Sequence, residues 1–243
     1  MSTLNGGPGN IVTNGLVMYL DAANYASYTS GSLTWYDLTK NNNSGSLING
    51  PTFDSGNGGS IVFDGVNDYV ALQNVTFTDK ISIGIWYKSP NPVSNYPLLY
   101  GNGTTISNES FYSTILGPVY GTSNKGKVAA FFKTDTISQS SGRIDLVSTS
   151  VITGSYCYLM ATYESSSLAK LYINASLEAS SSTSASNLNP NTGSFNLGGG
   201  NPVPVGSDRF TGSIAVFHIY NRALSSTEVL QNYNAQKTRF GLT

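Results

Sequence analysis

Ile81-Ser82-Ile83-Gly84-Ile85-Trp86-Tyr87 and, far downstream, Ile214-Ala215-Val216-Phe217-His218-Ile219-Tyr220 are the stretches that set the architecture. In the first, Ile81, Ile83, Ile85 and Tyr87 fall on one face of an extended chain, and Ser82, Gly84 and Trp86 on the other. The second is apolar on both faces apart from His218, which reads as a central strand covered on both sides. Working outward, short apolar runs recur at Leu16–Leu20, Ser60–Phe63, Tyr69–Leu72, Leu98–Tyr100, Val128–Phe132, Ile144–Val147, Tyr156–Tyr163, Ala169–Ile173 and Phe195–Leu197. Asp64-Gly65-Val66-Asn67-Asp68, between the Ser60 and Tyr69 runs, reads as the turn of a hairpin. About ten strands separated by turn signals predict an all-β, two-sheet antiparallel sandwich or a barrel, not a parallel α/β sheet.

One helix is predicted. Ser225 as N-cap and Glu228 three residues later form a capping box, with Val229, Leu230 and Tyr233 as the expected buried face. Residues 1–14 are rich in Gly, Asn and Pro and read as a flexible N-terminal arm, leaving residues 15–243 as the domain. Ser180–Ser186 reads as an exposed loop, and Lys88–Lys125 as long loops on one rim.

Composition narrows the function. The 243 residues carry 12 Lys+Arg against 13 Asp+Glu, a net charge of −1, so no general attraction to nucleic acid or anionic lipid is expected. One Cys excludes an intrachain disulfide and a Cys-based metal cluster. No apolar run approaches the ~20 residues of a membrane span. Residues 1–14 have neither a basic start nor an apolar stretch, which points away from a secretory signal. Ser, Thr, Asn and Gly together make 109 residues, and charged residues only 10%. Hydrophobic residues at 39% and aromatics at 12% still provide a core.

Catalytic signals are sparse. The four Glu, at 109, 164, 178 and 228, have no second carboxylate two or four residues away, so no strand presents a paired-carboxylate cleft. His218 has no nucleophile elbow to serve and reads as a core or interface histidine. Cys157 lies in an apolar run and reads as an inert buried thiol. Gly198-Gly199-Gly200 is followed by neither a Lys-Ser/Thr pair nor a helix pattern, so it reads as tight turning at the sandwich edge. Asp64 and Asp68 flank a Gly-containing turn; they are candidate calcium ligands, or the residues that shape the turn. The sequons at Asn74, Asn102 and Asn174 are expected by chance in so Asn-, Ser- and Thr-rich a chain. Tyrosines predicted in loops, Tyr25, Tyr28, Tyr96, Tyr100, Tyr112 and Tyr120, offer rigid amphipathic area, and the last four are the candidate ligand or partner contacts. Such rings serve sugar stacking and protein contact alike.

Several segments together resemble one family. They include Gly15-Leu16-Val17-Met18-Tyr19-Leu20-Asp21-Ala22, Trp35-Tyr36-Asp37-Leu38, Asn43-Ser44-Gly45-Ser46-Leu47 with Gly50-Pro51-Thr52-Phe53, and Ile61-Val62-Phe63-Asp64-Gly65 leading to Asp68-Tyr69-Val70. The order continues with Ile81-Ser82-Ile83 ahead of Trp86-Tyr87-Lys88, Met160-Ala161-Thr162-Tyr163, Leu171-Tyr172-Ile173-Asn174, Phe210-Thr211-Gly212-Ser213-Ile214 and Ile219-Tyr220-Asn221-Arg222-Ala223-Leu224-Ser225. Over roughly residues 15–242 this resembles the laminin-G-like, concanavalin A-like jelly roll, in the form common in virion proteins of tailed phages, cyanophages among them. The resemblance implies a jelly-roll sandwich with one short C-terminal helix. It also implies a non-enzymatic virion structural protein: a capsid decoration, fibre or tail appendage, made in the host cytoplasm, touching other virion proteins and self-associating or docking symmetrically. The alternative is a carbohydrate-binding adhesin that reads host-surface glycans; a polysaccharide hydrolase is a third reading. Relatives commonly carry Trp-Tyr-His where this chain has Tyr156-Cys157-Tyr158, and an Asp where it has Ala215. The latter segment lies near a structural calcium in relatives, so Ala215 counts against a family-type calcium site; no other cofactor is expected.

Overall fold

The computed structural model describes residues 10–75, 79–90, 99–106, 109–118, 126–134, 142–152, 154–183, 188, 194–199 and 209–243, with backbone alone for 102–106, 109–118 and 194. In chain order the strands are β1 (Leu16–Asp21), β2 (Thr34–Trp35), β3 (Gly45–Ile48), β4 (Thr52–Asp54), β5 (Ser60–Asp64), β6 (Tyr69–Leu72), β7 (Lys80–Lys88) and β8 (Tyr100–Ile106). They continue with β9 (Glu109–Pro118), β10 (Val128–Lys133), β11 (Arg143–Val147), β12 (Cys157–Glu164), β13 (Leu168–Ile173), β14 (Ser176–Ser182), β15 (Ser194–Leu197) and β16 (Thr211–Tyr220), followed by helix α1 (Ser226–Gln236).

Two sheets stack face to face. The first runs β14-β13-β12-β7-β16-β5-β4, with β1 pairing the C-terminal half of β16; the second runs β11-β10-β9-β8-β15-β6-β3-β2. The described pairings are antiparallel. The two stretches that opened the sequence reading lie side by side at the centre of the first sheet, with Phe217 opposite Ile85 and Ile219 opposite Ile83. Their inner faces meet Val70, Leu72, Tyr100, Phe132 and Phe195 from the second sheet. This is the jelly-roll sandwich expected, with its one short helix.

The outer face of the first sheet is also covered, which explains why β16 is apolar on both sides. Trp86, Tyr158, Val216 and Tyr220 pack there against α1 and against Ile11 and Val12. Ser82 and Gly84, on the face of β7 opposite Ile83 and Ile85, are therefore buried. The Ser82 hydroxyl is satisfied, donating to the Arg222 carbonyl at 2.7 Å and accepting from the Leu224 amide at 2.8 Å.

Helix α1 has its capping box, but its buried face differs from the expected one. Val229, Asn232, Ala235 and Gln236 point inward, Tyr233 is half-buried and Leu230 is exposed. Two buried amides bind this helix to the sheet. Asn232 accepts from the Val12 amide and donates to the Tyr220 hydroxyl, and Gln236 accepts from the Trp86 indole at 2.9 Å. These bonds also correct the arm boundary. Residues 10–14 are docked: Ile11 and Val12 are buried, and the carbonyls of Asn10, Val12 and Asn14 accept from Gln231, Tyr220 and Arg222.

The Asp64–Asp68 turn is not a hairpin. β5 lies in the first sheet and β6 in the second, so the turn carries the chain across the sandwich. Ile61 and Phe63 then face Val70 and Leu72 through side chains, not through backbone pairing. Two strands replace expected loops: β9 within 88–125, and β14 overlapping the Ser-rich stretch. Gly198 begins the turn after β15 at φ +77°, where an added Cβ would lie 2.3 Å from the Phe63 ring.

Candidate functional site

The β1–β2 connection and the residue that follows β2 carry the most exposed aromatic rings among the described residues. Tyr25 is 88% exposed, Leu33 75% and Tyr36 52%, and no other described aromatic is in the exposed class. Leaving such groups in water forgoes their burial energy, ~1.5–3 kcal/mol for a large side chain. Three such side chains fall within residues 25–36.

The stretch is braced as one piece. Asn24 makes an Asx turn, its side chain accepting from the Ala26 amide and its carbonyl accepting from the Ser27 and Tyr28 amides. Buried Ser27 donates its hydroxyl to the Tyr36 carbonyl at 2.6 Å, accepts from the Asp21 amide, and returns its own carbonyl to the Tyr36 amide. Tyr28 lies underneath, its ring 5.4 Å from that of Phe53 and its hydroxyl donating to the Ser32 carbonyl. Asp21 anchors the base, ion-paired with Arg239 at 2.7 Å and accepting from the Ala23 amide. Arg239 also donates to the Asn57 and Gly59 carbonyls, so the C-terminal segment clamps this loop. Tyr25 and Tyr36 therefore project from a scaffold whose ordering is complete before any ligand arrives, which lowers the entropic cost of binding. Exposed Thr29 and Ser30 lie on the same connection and offer hydroxyls.

The expected contact tyrosines fare differently. Tyr100 is a correction: it is the first residue of β8, fully buried between the sheets, with its ring 5.4 Å from Phe217 and 6.3 Å from Phe195. The alternation that makes it a strand residue also points it inward. Tyr96 and Tyr120 lie outside the described residues, and Tyr112 is placed only as a backbone position in β9. Tyr36 is an exposed ring that the sequence reading did not single out. The signal was present, a Tyr directly after a core Trp on a two-residue edge strand, where alternation turns it outward.

Asp64 and Asp68 serve the inter-sheet turn. Asp64 accepts from the Val66 and Asn67 amides, and Asp68 accepts from the Asp64 amide at 3.1 Å. The Val66 bond holds Asp64 below its usual range, whereas burial pushes Asp68 up. Ala215 packs its methyl into the apolar cluster beneath α1. No group of three His, Cys, Asp or Glu able to hold a metal occurs among the described residues.

Other acids and nucleophiles among the described residues are structurally engaged. Glu164 pairs with Lys80 and Asp145 with Arg143. Glu178 accepts from the amides and hydroxyls of Thr149 and Ser150. Glu228 pairs with Arg222, which together with the cap bonds lowers its pKa to about 2. His218 is sealed beneath α1 among Tyr19, Tyr158 and Tyr220; burial drives its pKa to about 3, and neither ring nitrogen has a partner. The buried Cys157 thiol is pushed up to about 12.

Comparison with known proteins places this geometry. Residues 64–230, more than half of the chain, match the family model described as the concanavalin A-like lectin/glucanases superfamily. No curated protein sequence matches. Among solved structures, domain 4 of AbnA, an extracellular arabinanase from Geobacillus stearothermophilus solved with arabinotriose, superposes at TM-score 0.64 with 20% identity over 90% of this chain and 98% of that one. The binding domain of Paraclostridial Mosquitocidal Protein 1 gives TM-score 0.64 and 17% identity over 91% of this chain and 52% of that one. A botulinum neurotoxin type C structure, from work on its interaction with two ganglioside molecules, gives 0.67 and 14% over 91% and 51%. The chain thus spans about half the length of the toxin chains. At these identities the likeness establishes the fold.

Proposed function

Because the chain belongs to the concanavalin A-like lectin/glucanase superfamily, we propose that it is a non-catalytic glycan-binding module that grips sugar through the Tyr25–Tyr36 surface. The observation that carries this reading is the pair of tyrosines held in water on a prebraced loop. A pyranose presents an apolar C–H face that stacks on an aromatic ring, while its hydroxyls need neutral donors and acceptors such as Thr29 and Ser30. Structural neighbours bound to arabinotriose or studied for ganglioside binding support this choice. So does the engagement of the described carboxylates in pairs, caps and turns, which leaves none poised for hydrolysis. The adhesin alternative of the sequence reading is therefore preferred here to the virion structural role, which gains no support from the structure or its neighbours.

The expected affinity follows from area. Two rings each covering about 80–100 Å² of apolar sugar surface contribute roughly 4–5 kcal/mol at about 25 cal/mol per Å². Association costs about 4 kcal/mol or more, so stacking on one module is weak and multivalent display is what makes it measurable. A glycan array probed with a multivalent form of the protein tests it. Retention on a defined glycan class, lost in Tyr25→Ala/Tyr36→Ala at unchanged stability, is expected; no retention on any glycan refutes the reading.

A further inference from the structure

The four arginines are not equivalent. Arg143, Arg222 and Arg239 each hold a carboxylate, at 2.6, 2.5 and 2.7 Å. Arg209 holds none among the described residues, and its Nη1 is buried without a hydrogen-bond partner. Its guanidinium carbon lies 5.8 Å from the centroid of the Tyr69 ring. Beneath it is Gly199, where an added Cβ would lie 2.6 Å from Nη1, so glycine is what admits the guanidinium. The segment is fixed, because the Phe210 amide donates to the Gly198 carbonyl at 3.0 Å.

This cluster sits on the outer face of the second sheet. Val70 and Leu72 face the core, so Tyr69 and Ala71 face outward, and Asn196 stands opposite Ala71 on β15. A partly desolvated cation with no counter-charge among the described residues is costly, and a planar guanidinium fork is shaped for a carboxylate. We propose that Arg209, positioned by Tyr69 over Gly199, is a subsite for the carboxylate of an acidic sugar. This rests on the glycan-binding reading above and names the class of glycan. By register, Tyr69 lies at the Ile48 end of β3, whereas Trp35, which leads into Tyr36, pairs with Gly45 at its other end. An acidic residue of an oligosaccharide would thus be read apart from the stacking loop.

The test is NMR titration of the ¹⁵N-labelled protein with sodium glucuronate, N-acetylneuraminic acid, glucose and sodium sulfate. The Arg209 side-chain Nε–H and the Gly199 amide are the reporters. The expected result is that an acidic sugar shifts both, binding about tenfold or more tightly than glucose and weakening with added salt. The two acidic probes distinguish a uronic from a sialic acid. Arg209→Gln abolishes the preference; Arg209→Lys, which keeps charge but loses the fork, retains only part of it. Equal binding of glucuronate, N-acetylneuraminic acid and glucose, or shifts reproduced in full by sulfate, overturns the subsite. The glycan-binding reading survives that outcome if array binding still depends on Tyr25 and Tyr36. Absence of any sugar binding overturns both.

Discussion

Acidification from pH 7 to pH 5 is expected to destabilise the protein through His218, the one histidine of the chain. The ring is fully buried, with Tyr19 on β1, Tyr158 on β12 and Tyr220 on its own strand around it, and no charged side chain among these ring neighbours. Burial lowers its pKa to about 3, against about 6.5 in the unfolded chain. The folded pKa is the depressed one, so stability is full above pH 6.5 and is lost as pH falls toward 3, because only the unfolded state takes up the proton. At pH 5 the loss is about 2 kcal/mol, and over the whole window about 5 kcal/mol. For a chain of this size 2 kcal/mol corresponds to a Tm drop of about 4–8 °C. Glu228, at about 2, and Glu178 and Asp64, both lowered, add their losses at lower pH, so the interval from 7 to 5 belongs to His218. The assay is urea denaturation at pH 7, 6 and 5 for wild type and His218→Phe, whose ring fits the same aromatic surroundings without two unpartnered nitrogens. Wild type should lose about 2 kcal/mol and the variant should stay flat. A flat wild type, or an equal slope in the variant, refutes the reasoning.

Three further outcomes follow from the packing. Arg239→Ala removes the Asp21 ion pair and the bonds to the Asn57 and Gly59 carbonyls, and should lower unfolding free energy by about 2–3 kcal/mol in urea titration. It should also weaken glycan retention, because Asp21 anchors the Tyr25 loop. Gly84→Ala would place a methyl 2.7 Å from Met160 Cε, 2.9 Å from Tyr158 Oη and 3.2 Å from His218 Nδ1, costing about 1–3 kcal/mol by calorimetry. Trp35 and Trp86 are fully buried, so native fluorescence should be blue-shifted and shielded from acrylamide, with a red shift on unfolding.

The centre of the fold was legible because β7 and β16 carry their burial in period two and in continuous apolar runs. The capping box at Ser225 and Glu228 was legible because it is a local hydrogen-bond pattern. The partner of β5 was not: whether Asp64–Asp68 turns within a sheet or between sheets depends on long-range packing, and both outcomes show alternating runs around an Asp-Gly turn. The inward face of α1 was misread because its anchors are Asn232 and Gln236, amides that pattern reasoning assigns to water. The arm was drawn too long because Ile11 and Val12 are two apolar residues in a Gly/Asn context, and only the groove beside α1 gives them a place. At the candidate site, Tyr25 was noticed as a loop ring, yet the scaffold of Asn24, Ser27 and Arg239 that makes it rigid joins residues over two hundred positions apart. Tyr100 was misplaced because it stands before Gly101-Asn102-Gly103 and so reads as a loop ring, although it opens β8.

The most direct test of the central claim is a chemical-shift map of the protein titrated with the best-retained oligosaccharide. The account predicts perturbations concentrated on residues 24–36, with ring-proton shifts at Tyr25 and Tyr36. Saturable binding that leaves this loop unshifted, or no saturable binding of any oligosaccharide, would contradict it.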